Sequence, residues 1–196
     1  MKNKTYETIV GTVEREREAL TLLLEDIDRE AFGKTIDILV NSSMTVTSAC
    51  GSSGFAAKKF AHSLCCVECP AKFIPPSDAL HGGMGALKEG NALIVVSKGG
   101  KTDELLPMIA IAKKKKAKII AVTANIDSVI ATSADVVLKL PKIDEADKYG
   151  VMSTASFAAN IAIFDSLMCG LIEEKNYKLE EFALIHPGGA VGKKIN

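Results

Sequence analysis

Leu93-Ile94-Val95-Val96-Ser97-Lys98-Gly99-Gly100-Lys101-Thr102-Asp103-Glu104 is the stretch from which the architecture follows. Four consecutive apolar, mostly β-branched residues are too few for a helix and lack polar alternation, as in a strand buried on both faces of a parallel sheet. Ser97, Gly99, Gly100 and Thr102 then crowd into six positions, and from Glu104 a helical spacing runs through Leu105, Leu106, Ile109 and Ala112. Strand, small-residue loop and helix in succession place free backbone N–H groups and hydroxyls at the positive end of a helix dipole, where a phosphate is stabilised. Neither common nucleotide motif fits. A Walker loop needs a glycine five positions before Gly100, and Val95 stands there. Gly51-x-x-Gly54 and Gly99-Gly100 do not make the dinucleotide fingerprint. The expected ligand is the phosphate of a small metabolite.

The same unit recurs upstream. Thr45 to Cys50 is β-rich and runs into Gly51-Ser52-Ser53-Gly54, expected as a loop, after which Phe55, Phe60 and Leu64 mark a helix. Ala71 to Ile74 reads as a short strand stopped by Pro75-Pro76, because proline cannot donate to a sheet ladder. Ala117 to Thr123 and Val136 to Leu140 are two more apolar strands, with a short helix within Asn125 to Asp135. Five strand segments alternating with helices imply an α/β fold: a parallel sheet covered on both faces, with ligands outside the carboxyl ends of its strands. Residues 5–40 carry apolar positions at helical spacing and read as two amphipathic helices broken near Asp28 to Phe32. The organisation expected is an N-terminal helical segment, 1–40, packed on a domain formed by 41–196.

With 196 residues the chain is long enough for one core and short for two. Its 24 basic and 24 acidic residues cancel, so no global field recruits nucleic acid or an anionic membrane. The polar start Met1-Lys2-Asn3-Lys4 and the absence of a run approaching 18 apolar residues argue against a signal peptide or a spanning helix, and the expected location is cytoplasmic. The odd number of cysteines, five, agrees with reduced thiols. His62, Cys65, Cys66 and Cys69 crowd one stretch but lack a second pair at zinc-like spacing, and read as buried small residues on a helix.

Beyond the fifth strand, Pro141 to Tyr149 is polar. Ser153-Thr154-Ala155-Ser156 precedes a long apolar helix, Phe157 to Leu171, and serves either as its cap or as a phosphate ligand. The tail, Phe182 to Lys193, is too rich in glycine to stay helical and puts His186 in an irregular segment; His81 lies in a glycine-rich loop.

Together these pieces resemble a sugar isomerase (SIS) domain, and within that superfamily the arabinose 5-phosphate isomerase family. Gly51-Ser52-Ser53-Gly54 stands where that family has GKSG, Ala79-Leu80-His81-Gly82-Gly83-Met84-Gly85 where it has ASHGDLG, and Ser97 to Glu104 where it has SNSGESSE. Glu145-Ala146 and Phe182-Ala183-Leu184-Ile185-His186-Pro187-Gly188-Gly189-Ala190-Val191-Gly192, where the family has FALSHPGGALG, complete the likeness. No stretch here matches the paired CBS modules many members carry. The resemblance implies an α-β-α sandwich with a five-stranded parallel sheet, and aldose–ketose isomerisation of a sugar phosphate through an enediol, with no cofactor and no metal.

It further implies Ser53, Ser97, Thr102 and Thr154 or Ser156 as phosphate ligands, Glu104 and Glu145 as functional carboxylates, and His81 and His186 as functional histidines. The wider binding set adds Ser52, Gly99, Gly100, Lys101 and Ser153. Glu145 is the expected base between C1 and C2, and His186 the group for ring opening. The family's lysine is Ser52 here, its glutamate is Lys101, and its metal-associated histidine is Pro75. Lys101 either supplies the missing cation or is merely solvated. A pentose 5-phosphate such as arabinose 5-phosphate is the expected substrate, and the different-class alternative is a sugar-phosphate-binding sensor. The resemblance also implies a dimer or tetramer, with His186 serving a neighbouring subunit.

Overall fold

A computed structural model describes residues 1–195. Five strands form one sheet: β1 (Thr45–Ala49), β2 (Ala71–Phe73), β3 (Ala92–Val96), β4 (Lys118–Thr123) and β5 (Val136–Lys139), in the order β2-β1-β3-β4-β5 and parallel throughout. β3 is buried at every position, as its unbroken apolar run requires. Its side chains alternate between two cores. Ile94 and Val96 face one with Ile120 and Val122, whereas Leu93 and Val95 face the other with Ile119 and Ala121.

The first core lies under α3 (Gly51–Cys66) and α7 (Ala155–Glu174), where Phe60 and Phe164 stack at 4.3 Å between ring centroids. The second lies under α4 (Pro76–Ala79), α5 (Leu106–Lys114) and α6 (Val129–Thr132). The result is an α-β-α sandwich. Two further helices, α1 (Asn3–Glu25) and α2 (Arg29–Asn41), pack on α7 and, for α2, on β5. The break between them falls at residues 26–28, earlier than the amphipathic pattern suggested. Asp28 caps α2 by accepting from Glu30 and Ala31 N–H, so the residues after it are already helical.

Three other expectations need correction. Gly51-Ser52-Ser53-Gly54 is the first turn of α3, not a loop. The tail folds as two short helices, α8 (Leu179–Ile185) and α9 (Gly189–Ile195), with His186 and Pro187 in the bend between them. The cysteines of the His62 stretch are not uniformly buried: Cys65 is exposed, Cys66 half-buried and Cys69 buried just past the end of α3. By length and composition α7 could cross a membrane, and here its apolar side supplies Ile163, Phe164, Leu167 and Leu171 to the sheet's core.

The order of strands creates the site. The chain leaves β1 through α3 on one face towards β2, and leaves β3 through α5 on the opposite face towards β4. The two neighbouring strands therefore send their connections apart, and a crevice opens at their carboxyl ends.

Candidate functional site

Two strand ends line that crevice. On the β1 side, the N-terminus of α3 presents the N–H groups of residues 51–53, which precede the helix's own ladder; Ser52 is exposed and Ser53 half-buried. On the β3 side, residues 97–102 form a tight turn in which Gly100 N–H donates to Ser97 C=O at 3.0 Å, and the Ser97 and Thr102 hydroxyls bond each other at 2.8 Å. Gly100 adopts φ +67°, and a Cβ there would fall on the Ser128 hydroxymethyl group. Only glycine lets this loop lie against the start of α6, where Ser128 is the cap.

Glu104 follows on a single 3-10 turn, Asp103–Leu105, which delays α5 by three residues. It is exposed and shares a cavity of about 610 Å³ with Cys50, Lys58, Phe73, Pro75 and Leu80. Burial first, and the Glu104 carboxylate second, push the Cys50 thiol up from its ordinary pKa, so this cysteine stays a neutral thiol. Gly99 and Lys101 are exposed. His81 is exposed on the turn after α4, one residue beyond the cavity-lining Leu80.

Glu145 is the buried carboxylate. It lies in the segment joining β5 to α7 with its side chain 5% exposed, and five bonds converge on its two oxygens. Oε1 accepts from the Lys98 ammonium at 2.6 Å and from the Ser156 hydroxyl; Oε2 accepts from Thr154 N–H at 2.8 Å, Thr154 Oγ1 at 3.1 Å and Ser156 N–H at 3.2 Å. Burial, the largest single influence, would raise its pKa. The Lys98 ammonium, the Ser156 hydroxyl and the two backbone N–H groups together outweigh it and bring the carboxyl down to about 2.

Thr154 and Ser156 therefore hold a carboxylate, and the Thr154 side chain does not cap α7 in the ordinary way. The Ser153 hydroxyl meets that of Ser156, at 3.3 Å between oxygens. Of the hydroxyls expected to ligate phosphate, those of Thr154 and Ser156 are turned to an internal anion, Glu145. Equally, a carboxylate held near a pKa of 2 is a poor proton acceptor at neutral pH, so Glu145 in this arrangement is not yet the base expected of it.

His186 is not in this crevice. It sits beside a separate cavity of about 490 Å³ with Cys66, Tyr177 and Phe182, its ring 5.0 Å from that of Phe182. Cys66 and Gly51 are opposite ends of α3, a separation of roughly 22 Å at 1.5 Å per residue. The His186 Nδ1 and the Tyr177 hydroxyl are both buried there and find no hydrogen-bond partner among the described residues. Among the described residues no three His, Cys, Asp or Glu side chains cluster as metal ligands.

Sequence reasoning missed Lys98. Lys101, three residues further on, is exposed, whereas Lys98 is the loop's cation that reaches a carboxylate. Only its place directly after Ser97, in a loop otherwise built of small residues, hinted at a role.

Comparison with known proteins bears on the fold and the family. Residues 38–169 match the SIS domain. Arabinose 5-phosphate isomerase KpsF of Escherichia coli is 30% identical over 94% of this chain and 57% of its own length. Arabinose 5-phosphate isomerase KdsD of Francisella tularensis subsp. tularensis is 32% identical over 95% of this chain and 58% of its own. The chain thus spans somewhat over half the length of these relatives. Among solved structures, a candidate sugar-phosphate isomerase of Listeria monocytogenes superposes with a TM-score of 0.92 at 41% identity, covering 96% of this chain and 100% of that one. The E. coli CFT073 protein c3406, in complex with arabinose 5-phosphate, superposes at 0.86 with 26% identity, covering 95% and 100%. The family match runs from α2 through most of α7 and so contains the crevice, its turn and the buried carboxylate: the chain belongs to the SIS-domain family.

Proposed function

We propose that this chain is an aldose–ketose phosphosugar isomerase working through an enediol, with a pentose 5-phosphate of the arabinose 5-phosphate/ribulose 5-phosphate type as substrate. The observation that carries this reading is that the Ser97–Thr102 turn is tied through Lys98 to a carboxylate kept ionised and fixed, Glu145, and leads directly to a second one, Glu104, that opens to the cavity at the end of β1. The turn and the N–H groups at the start of α3 suit a phosphate. The carboxylates suit a proton transfer between adjacent carbons. The 30% and 32% identities to proteins named arabinose 5-phosphate isomerase, and the likeness to a structure holding arabinose 5-phosphate, support the substrate class.

In this reading the phosphate rests on the Ser97–Thr102 turn with Ser53 opposite, and the sugar chain extends into the cavity towards Glu104. Glu145 moves the proton between C1 and C2. His186, remote from its own crevice, opens the ring in the site of a neighbouring copy of the chain.

One observation favours the second reading, a sugar-phosphate sensor: every bond Glu145 can accept is already made, and a binding module needs no free base. Incubation with a panel of aldose and ketose phosphates, followed by NMR, separates the two. Interconversion is the expected result. Binding across the panel without turnover would leave the sensor.

A further inference from the structure

Lys98 stands between two places for an anion. Its backbone belongs to the Ser97–Thr102 turn, where its C=O is fixed by Ala124 N–H at 3.0 Å and the Thr123 hydroxyl at 3.1 Å. Its ammonium leaves that turn and reaches the β5–α7 segment, 2.6 Å from Glu145 Oε1 and 3.2 Å from the Ile143 carbonyl oxygen. The pair is lopsided: the lysine side chain is 39% exposed and the carboxylate 5%. Only the lysine can leave at little cost.

The charges around the pair do not replace it. On the solvent side, Arg15 and Glu18 of α1 and Lys142 and Asp144 of the β5–α7 segment line a cavity with Lys98, and Arg15 is bonded to Glu18 at 2.9 Å. On the α7 side Glu145 meets only hydroxyls and N–H groups. Among the described residues, Lys98 is the one cation that contacts Glu145. A buried carboxylate that loses its cation retains its dipolar donors but is costlier to keep charged, and so becomes a better proton acceptor.

We propose that Lys98 is a positioning residue shared between Glu145 and the substrate's phosphate. A dianion seated on the Ser97–Thr102 turn lies within reach of a flexible four-carbon stem rooted in that turn, and it draws the ammonium away from Oε1. Oε1 then opens towards the crevice, and Glu145 becomes basic only once the phosphate is in place. Purposeful as a mechanism only if the chain is an isomerase, this coupling is readable without turnover.

The test uses protein labelled with carboxyl-¹³C glutamate, the Glu145 signal being the one absent from Glu145→Gln. Inorganic sulfate serves as the probe because it remains a dianion from about pH 4 to about pH 7, while backbone amide signals of residues 97–102 report its seating. Without sulfate, Glu145 should show no titration step in that range. With saturating sulfate, a step should enter it, a rise of roughly two pKa units. In Lys98→Met the step should be present before sulfate is added, and Lys98→Arg should restore the wild-type silence. If the amides of the turn respond to sulfate while Glu145 stays silent, the coupling is wrong. If those amides do not respond, the turn is not an oxyanion seat and the proposal falls with it. A Glu145 response in a protein that isomerises no sugar phosphate would overturn the isomerase reading and leave the coupling standing.

Discussion

Glu145 shows how far one side chain can be legible in sequence. Its motif identified it as a functional carboxylate, but the five donors come from residues 98, 154 and 156, and only folding brings them to it. Lys98 was illegible for the same reason: nothing in its local sequence says that its ammonium leaves the turn. The depressed pKa has a consequence for stability. A carboxyl whose folded pKa is about 2 against an ordinary 4.5 stabilises the fold above pH 4.5, and that contribution is lost as pH falls from 4.5 towards 2. Its size is on the order of 3 kcal/mol. Urea midpoints should therefore fall across that window more steeply for the wild type than for Glu145→Gln. For activity, Glu145→Gln and His186→Ala are each expected to lower kcat by on the order of 10²- to 10⁴-fold, with a smaller effect on KM. A rise in KM alone for both would reassign them to binding. Lys101 is exposed and Ser52 is exposed, so both are free to meet a ligand. If Lys101 replaces the cation missing at 52, Lys101→Ala loses activity and Ser52→Lys/Lys101→Glu regains much of it; normal turnover by Lys101→Ala sinks that compensation.

At the scale of elements, strands were easier to read than the turns that matter. A strand buried on both faces, such as β3, announces itself as an unbroken apolar run, and the bounds of all five strands agree with the sequence reading within a residue or two. The strand order was not legible, since parallel crossovers leave no local signature of which neighbour a strand joins. Gly51 to Gly54 misled because glycine and serine favour loops by propensity, whereas packing of the following apolar face pulls the helix back to Gly51. The tail misled likewise: its glycine content argued against helix, yet a Cβ at Gly192 would meet the His186 and Pro187 backbone at 2.6 to 2.8 Å. Glycine at 192 is what lets α9 fold against the bend after α8. Gly192→Ala should accordingly disturb His186 without touching the crevice, lowering turnover while leaving sulfate binding at residues 97–102 unchanged. Gly100→Ala should disturb the crevice and leave the tail alone. Overpacking against Ser128 costs about 1–3 kcal/mol, the left-handed backbone adds about 1–2 kcal/mol, and oxyanion binding should be lost along with the lowered melting temperature.

For the whole molecule, the remote position of His186 and the exposed apolar side chains of α1, among them Tyr6, Ile9, Val13 and Leu24, belong to the same proposal. A second copy covering that helix would bury it symmetrically and bring one chain's tail to another's crevice. Light scattering should then show a dimer or larger at micromolar concentration, and inactive His186→Ala and Glu145→Gln chains should recover activity when mixed and reassembled. A monomer, or mixtures as inactive as their parents, would exclude shared sites. The all-parallel sheet bears on synthesis as well as on catalysis. No two neighbouring strands can close as a hairpin, so every pairing waits for a crossover, and the core under α3 waits longest. Phe164, Leu167 and Leu171 reach that core only after the last strand has been made. A chain emerging residue by residue from the ribosome therefore carries all five strands with one face covered only in part, by α2 and α3, a state prone to self-association. Chains cut at residue 154 are expected in the insoluble fraction, and release of the full-length protein should depend on holdase chaperones during the interval in which α7 is translated.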